Sequence, residues 1–363
     1  MNKMQPEPAV KLHPRPQFRI GDHLIGERGP VYIVAEMSAN HLQDYDRAVA
    51  ILHAAAEAGA DAVKLQTYTA DTITIDSTEP YFRITGGTIW DGTTLYRLYQ
   101  EAYTPWEWQP KLCEEAARLG LDCFSSPFDP TAVEFMESMH MPAYKVASYE
   151  ITDIPLIRQI ARKGKPVILA TGVATGDDIR LALNACLEEG NDQLALLKCV
   201  SAYPTPYEDM NLNMIPTLAR EYGVITGLSD HSPGSAAAVA AVALGARMVE
   251  KHLTLRRADG GPDGAFSMEP EEFARMVSDI RIVEKALGQK EYALTPQQQA
   301  ERSGVRSLFV VADIRAGEKL TPRNIRSIRP GDGLPPAELD RVLGSTAVRD
   351  LRRGSPLREE DFQ

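Results

Sequence analysis

Eight short apolar runs, separated mostly by helix-patterned segments, leave this chain very few folds. In order they are VYIVAE (31–36), AVKLQT (62–67), LDCFSS (121–126), AYKVAS (143–148), PVILAT (166–171), LALLKC (194–199), VITGLS (224–229) and RMVEKH (247–252). Between them stand segments such as DRAVAILHAAAEAGA and GDDIRLALNACLEEG, with apolar residues at helical spacing and a glycine near the C-terminal end. Alternation of strand and helix calls for a parallel sheet, and eight units fit a closed (β/α)8 TIM barrel better than an open doubly wound sheet. No G-x-G-x-x-G motif follows the first run, which weighs against dinucleotide binding.

The barrel is expected over 17–285, after an N-terminal extension, 1–16. Residues 68–105 form a long aromatic and glycine-rich insertion after the second run, of the length that on the catalytic face of a barrel is usually functional. A polar linker is expected over 286–302, followed by a small β-rich domain over 303–363. In that domain DIRAGEKLTPRNI (313–325) and DLRRGSPLREEDF (350–362) repeat one pattern, which predicts internal pseudo-symmetry.

Composition bounds the partners. With 39 Lys and Arg against 50 Asp and Glu the net charge is −11, which disfavours nonspecific binding to nucleic acid or anionic membrane. An anionic ligand then has to be held by a few local cations. Cys113, Cys123, Cys186 and Cys199 show no C-x-x-C pair or metal-finger spacing and read as buried thiols in a reducing compartment. With no apolar run long enough to span a bilayer, the expectation is a cytoplasmic protein.

A TIM barrel does its chemistry at the C-terminal ends of its strands. Those ends carry Glu36, Lys64, Ser126, Lys145, Ser148, Thr171, Ser201 with Tyr203 just beyond, His231 and His252. Lys64 and Lys145 sit inside apolar runs, where an uncompensated ammonium is costly, so an anion in the barrel mouth is expected beside them. Ser126 and Ser148 add short hydroxyl donors suited to a phosphate. His231, in GLSDHSPG, and His252 end neighbouring strands, and closure brings Glu36 next to His252. Two imidazoles and a carboxylate converging on one mouth point to a divalent metal, Mn2+, Fe2+, Zn2+ or a loosely held Mg2+.

The strings VAEMSANH, AGADAVKLQTYT, SSPF, PAYKVASYE, ILATG, YPTPYEDMNL, GLSDHSPG, VALGARMVEKH and GPDGAFSM, in this order, resemble the sialic acid synthase family. That family condenses phosphoenolpyruvate with an acylated amino sugar. The segment around SIRPGDG is similar to its antifreeze-like (SAF) domain, and the resemblance spans roughly residues 17 to 362. It implies a cytoplasmic transferase with Mn2+ or Mg2+ on His231 and His252. Lys64, Ser126, Lys145 and Ser148 would hold phosphoenolpyruvate, and Glu36 would act as a base or water-orienting group. Tyr203 would lie close by and Asp263 would order the metal's water or the sugar, with Ser201 and Arg329 also binding substrate. The family's SAF domain covers the barrel of the other subunit, implying a domain-swapped homodimer. The segment TGGTIWDGTTLYRLYQEAYTPWEW is similar to the branch that acts on a 2,4-diacetamido-2,4,6-trideoxy-altrose. N-acetylneuraminate or legionaminate synthesis is the alternative. Ala170 replaces a family serine, and Ser201 replaces an asparagine often found there. Two other readings compete: a metal-dependent barrel hydrolase or oxygenase using His231, His252 and Glu36, and a silent carbohydrate-binding protein.

Overall fold

In the computed structural model, which describes residues 13–288 and 291–363, the eight expected strands close into a parallel barrel. An antiparallel hairpin precedes them, with β1 at Gln17–Ile20 and β2 at His23–Gly26. The barrel strands are β3 Tyr32–Glu36, β4 Ala62–Thr67, β5 Asp122–Pro127, β6 Tyr144–Val146, β7 Val167–Ala170, β8 Leu194–Lys198, β9 Ile225–Asp230 and β10 Met248–His252. Closure is between β10 and β3, whose register pairs His252 with Glu36. Most of the expected N-terminal extension, residues 1–12, lies outside the described residues.

Local sequence accounts for the helices around the barrel. These are α1 Tyr45–Glu57, α2 Ala70–Ile73, α3 Leu95–Ala102, α4 Gln109–Arg118, α5 Pro130–Ser138, α6 Ile154–Ala161, α7 Gly176–Glu188, α8 Met214–Tyr222, α9 Ala236–Ala243 and α10 Pro270–Leu287. Asp44, Asp129 and Asp153 cap α1, α5 and α6 by accepting orphan backbone N–H groups, and Thr175 with Asp178 forms a capping box on α7. The main core lies between the sheet's outer face and these helices, with Ile33, Val63, Leu169 and Leu196 packed against side chains such as Ile51, Ile157 and Phe273.

A second core fills the barrel itself. Phe18, Ile20 and Ile25 of the hairpin join Tyr32, Phe124 and Met248 from the N-terminal parts of the strands, so the hairpin plugs the bottom of the barrel. His23 Nδ1 and the Tyr32 hydroxyl each lie 2.8 Å from Asp122 Oδ2, tying hairpin, β3 and β5 together. The bottom is thereby closed, and only the C-terminal ends of the strands remain to form a site.

The chain divides into two units after Gly288. The expected linker, 286–302, is therefore not one element: α10 runs to Leu287, and the remainder groups with the second unit and carries a short helix, α11, at Pro296–Glu301. Residues 289–290 lie outside the described residues. In the second unit β11 (Ser307–Val310) pairs with β12 (Ile325–Ile328), and a short helix, α12, spans Leu339–Val342. The repeated motifs meet face to face. Ile314 and Leu351 exchange backbone hydrogen bonds, Asp313 accepts from the N–H of Arg353, and Asp350 accepts from the N–H of Ala316. Each motif's aspartate thus caps the other motif's turn, as internal pseudo-symmetry requires.

Candidate functional site

Side chains alternate along a strand, so the inward positions of β3, β4 and β10 are those in step with Val34, Ala62 and Met248 of the inner core. At the next positions up, β3 presents Glu36, β4 presents Lys64 then Gln66, and β10 presents Glu250 then His252. These residues, with Lys145 and Ser148, floor a cavity of about 560 Å³ in the barrel mouth. Tyr203, His231 and Asp263 complete the same lining.

The lysines bring their own counterions. Lys64 Nζ lies 2.6 Å from Glu36 and 3.7 Å from Glu250, while Lys145 Nζ lies 3.5 Å from Glu250. The expectation that an anion must compensate them is corrected: two buried carboxylates already do so. Glu250 went unnoticed in the sequence although it stands two residues before His252 and so shares its face of the strand. An arriving anion therefore enters a balanced network and competes with the carboxylates for the ammonium groups.

Burial pushes the Glu36 carboxyl up to about 7, with Lys64 opposing and Glu250 reinforcing the rise. Such a group can take or give a proton near neutrality. Burial also lowers the pKa of Lys145, against the pull of Glu250, whereas for Lys64 the two glutamates outweigh burial and raise it. Gln66 donates to both Glu36 Oε1 and Ser38 Oγ at 2.9 Å, which fixes the Glu36 carboxyl in place.

The remaining expected residues fall in different places. Ser126 is buried outside the cavity lining and accepts a hydrogen bond from Lys64 at 3.3 Å. Ser201 also lies outside the lining, and its hydroxyl is buried without a partner. It packs with Ser148 around Gly172, where a Cβ would come within 2.2 Å of Ser201 Oγ and 2.6 Å of Ser148 Oγ, so only glycine lets the serines approach. Thr171 donates to the Leu197 carbonyl and serves the backbone of the barrel. Arg329 is exposed in the second unit. Cys113 and Cys123 are not isolated thiols, since the fold brings their sulfurs to 3.0 Å while both stay free.

GLSDHSPG is a built turn. Asp230 Oδ2 takes a 2.7 Å ion pair from Lys251, and Oδ1 accepts from both the N–H and the hydroxyl of Ser232. The aspartate thus clamps both sides of His231. The imidazole rings of His231 and His252 lie 5.3 Å apart, with Tyr203 and Phe266 packed against them. His231 Nδ1 is 3.1 Å from the Val200 carbonyl and so carries a proton, which makes Nε2 the ring nitrogen open to a ligand. His252 Nδ1 is buried with no hydrogen-bond partner, and burial, then His231 and Lys64, hold its pKa well below the usual value, so it is neutral. Burial would lower the His231 pKa, but Cys199 and the Val200 carbonyl outweigh it and raise it, so a divalent cation there would displace a proton from His231 while meeting a neutral His252; two imidazoles facing one polar cavity fit a cation that takes its other ligands from water and substrate. Among the described residues no group of three or more His, Cys, Asp or Glu is placed to hold a metal without such help.

Glu150, beyond β6, also faces the cavity and was not anticipated. Its Oε2 has no partner, and burial pushes its pKa up to about 7. A carboxyl whose folded pKa exceeds its unfolded one favours the fold at low pH, and that advantage is lost as pH rises through about 7. Glu150→Gln is expected to stabilise the protein by on the order of 1–2 kcal/mol at pH 8, after discounting for solvent screening, and to have no such effect at pH 4. Urea unfolding at the two pH values reads this, and an equal change at both would rule it out.

The comparisons with known proteins agree with this layout. The NeuB family model matches residues 51–292 and the SAF domain model matches 305–363. The chain belongs to the NeuB family. A pseudaminic acid synthase of Helicobacter pylori is 46% identical over 335 residues, covering 92% of this chain and 98% of that protein. An N,N'-diacetyllegionaminic acid synthase of Legionella pneumophila is 34% identical over 337 residues, covering 92% and 94%. Among solved structures, an N-acetylneuraminic acid synthetase from Leptospira borgpetersenii superposes with a TM-score of 0.71 at 30% identity, covering 80% of this chain and 96% of that one. The barrel followed by a SAF domain is thus the family's fold. Among the described residues no helix is long and apolar enough to cross a membrane.

Proposed function

We propose that this NeuB-family chain is a pseudaminic acid synthase, condensing phosphoenolpyruvate with 2,4-diacetamido-2,4,6-trideoxy-altrose to give a nonulosonic acid and phosphate by C–O cleavage. The observation that carries the reading is the paired Lys64, Lys145, Glu36 and Glu250 network on the floor of one cavity with His231 and His252, in a chain 46% identical to a pseudaminic acid synthase.

Lys64 and Lys145, with Ser148 beside them in the lining and Ser126 bonded to Lys64, bind the phosphate and carboxylate of phosphoenolpyruvate and orient its C3. C3 attacks the aldehyde carbon of the open-chain sugar, forming the new C–C bond, and the aldehyde oxygen takes up a proton. Positive character grows at C2, where Glu36 stabilises it and accepts the proton of the adding water. The tetrahedral adduct then breaks its C–O bond and phosphate leaves. Tyr203 packs against His231 and walls the reacting centre, and Asp263 accepts from the N–H of Ala39, holding the loop after β3 to the loop after β10. His231 and His252 would hold the divalent cation, Mn2+ or Mg2+, which when bound supplies electrophilic polarisation of the aldehyde. A homodimer and a cytoplasmic location belong to the same proposal.

The test is phosphate release from phosphoenolpyruvate with Mn2+ and, in parallel, the altrose-configured diacetamido sugar, its mannose-configured relative and N-acetylmannosamine. Release with the altrose sugar alone is expected; release with only another sugar changes the branch, and none with any removes the reading. His252→Ala is expected to abolish metal-dependent turnover while the circular dichroism spectrum is unchanged. Full activity of that variant at low metal would remove His252 from the cation site.

A further inference from the structure

The connection from α4 to β5 sets two thiols against each other. Past α4 the chain reverses at Gly120, whose φ of +77° suits glycine alone, and the Leu121 N–H donates back to the Ala116 carbonyl at 2.9 Å, which fixes the turn. Cys113 lies about 10 Å up the helix from that glycine, and Cys123 lies about 10 Å beyond it along β5. The two residues therefore come level, and their sulfurs meet at 3.0 Å. That is only about 1 Å more than the length of an S–S bond. Both are free thiols. Cys123 is 7% exposed and packed in the main core, whereas Cys113 is half-buried and open to a small solute.

We propose that Cys113 and Cys123 form an oxidation-dependent clamp, in which hydrogen peroxide converts the pair to a disulfide that fastens α4 to β5 and a thiol reductant reopens it. The Cys113 sulfur, the more accessible, attacks one peroxide oxygen; the O–O bond breaks and water leaves with the thiol proton, giving a sulfenic acid. The Cys123 sulfur then attacks the Cys113 sulfur. The S–S bond forms, the S–O bond breaks, and the hydroxyl leaves as water with the Cys123 proton. One peroxide is reduced to two waters while two thiols are oxidised to one disulfide. Because the sulfurs are already in contact, this second step is intramolecular and outruns further oxidation of the sulfenic acid. The bond closes a short loop that the unfolded chain otherwise leaves open, so it stabilises the barrel. Neither cysteine lines the cavity in the barrel mouth, so the clamp acts on stability and leaves the candidate site as it is.

The experiment exposes the full chain to a small molar excess of hydrogen peroxide, alkylates the remaining thiols in denaturant, maps the cysteines by mass spectrometry and follows thermal unfolding of an unalkylated portion. The expected result is a cross-linked peptide pair holding Cys113 and Cys123, alkylated Cys186 and Cys199, and a Tm raised by about 5 °C. Dithiothreitol is expected to reverse both changes. Cys113→Ala is expected to show no cross-link and no rise in Tm under peroxide. Cys123→Ala gives the same reading if that variant unfolds, and in it Cys113 is expected to pass on to the sulfinic acid for want of a resolving thiol. Sulfinic acid at Cys113 in the intact protein, or oxidation of Cys186 or Cys199 while Cys113 and Cys123 stay thiols, overturns the proposal. A disulfide that forms but raises the Tm by less than about 1 °C removes the clamp as well.

Discussion

Lys251→Met is expected to destabilise the barrel by about 3–5 kcal/mol, the cost of leaving a buried charge without its partner. Lys251 and Asp230 form a 2.7 Å ion pair with side chains 1% and 0% exposed, between neighbouring strands β10 and β9. Without the ammonium, the Asp230 carboxylate keeps only its bonds from Ser232 and has no water to turn to. The same carboxylate clamps the turn that presents His231, so activity should fall along with stability. Urea denaturation at neutral pH measures the loss, and a change below about 1 kcal/mol would show that the pair is not the buried, isolated one described. In the double variant Lys251→Met with Asp230→Leu much of the stability should return, because no buried charge remains.

Glu36→Gln is expected to lower kcat by roughly 10²- to 10⁴-fold, the usual contribution of a positioned proton-transfer group. The amide keeps the shape of the side chain and can still accept from Gln66, while Lys64 keeps Glu250 at 3.7 Å, so folding should be little affected. The variant separates roles: a base acting on water should lose kcat and keep the phosphoenolpyruvate KM within a few-fold, whereas a residue that only balances Lys64 should change KM and leave kcat near normal. Single-turnover phosphate release distinguishes the two, and unaltered kcat removes Glu36 from the chemistry.

Not everything about the site was equally visible in the residues. Glu36 and His252 end strands and His231 follows one, while Lys64 and Lys145 interrupt apolar runs, and these placements made all five identifiable as groups that a barrel brings to one mouth. Glu250 stands two residues ahead of His252, directly beside Lys251 in the run RMVEKH. Period-two alternation separates them: Glu250 turns inward to Lys64 and Lys145, and Lys251 turns to Asp230. The bottom hairpin was not anticipated, although QFRIGDHLIG holds two short runs joined by a Gly-Asp turn, because four-residue runs this short carry little periodic signal. Glu150 gave no sign, because its importance lies in an orphaned oxygen that only surrounding burial creates.

The sequence by itself determined the closed barrel, the two-unit division and the pseudo-symmetry of the second unit, since each follows from local periodicity and repeated turn chemistry that neighbouring residues enforce. Tertiary structure alone decided which charges are partners and where the insertion is anchored. Lys64 meets Glu250, and Trp90 meets a carbonyl 172 residues away, only because closing the barrel brings distant strand ends within a few ångströms. Burial there, where water cannot compensate an unpaired charge, shifts the pKa of Glu36 toward neutrality and so turns those meetings into chemistry.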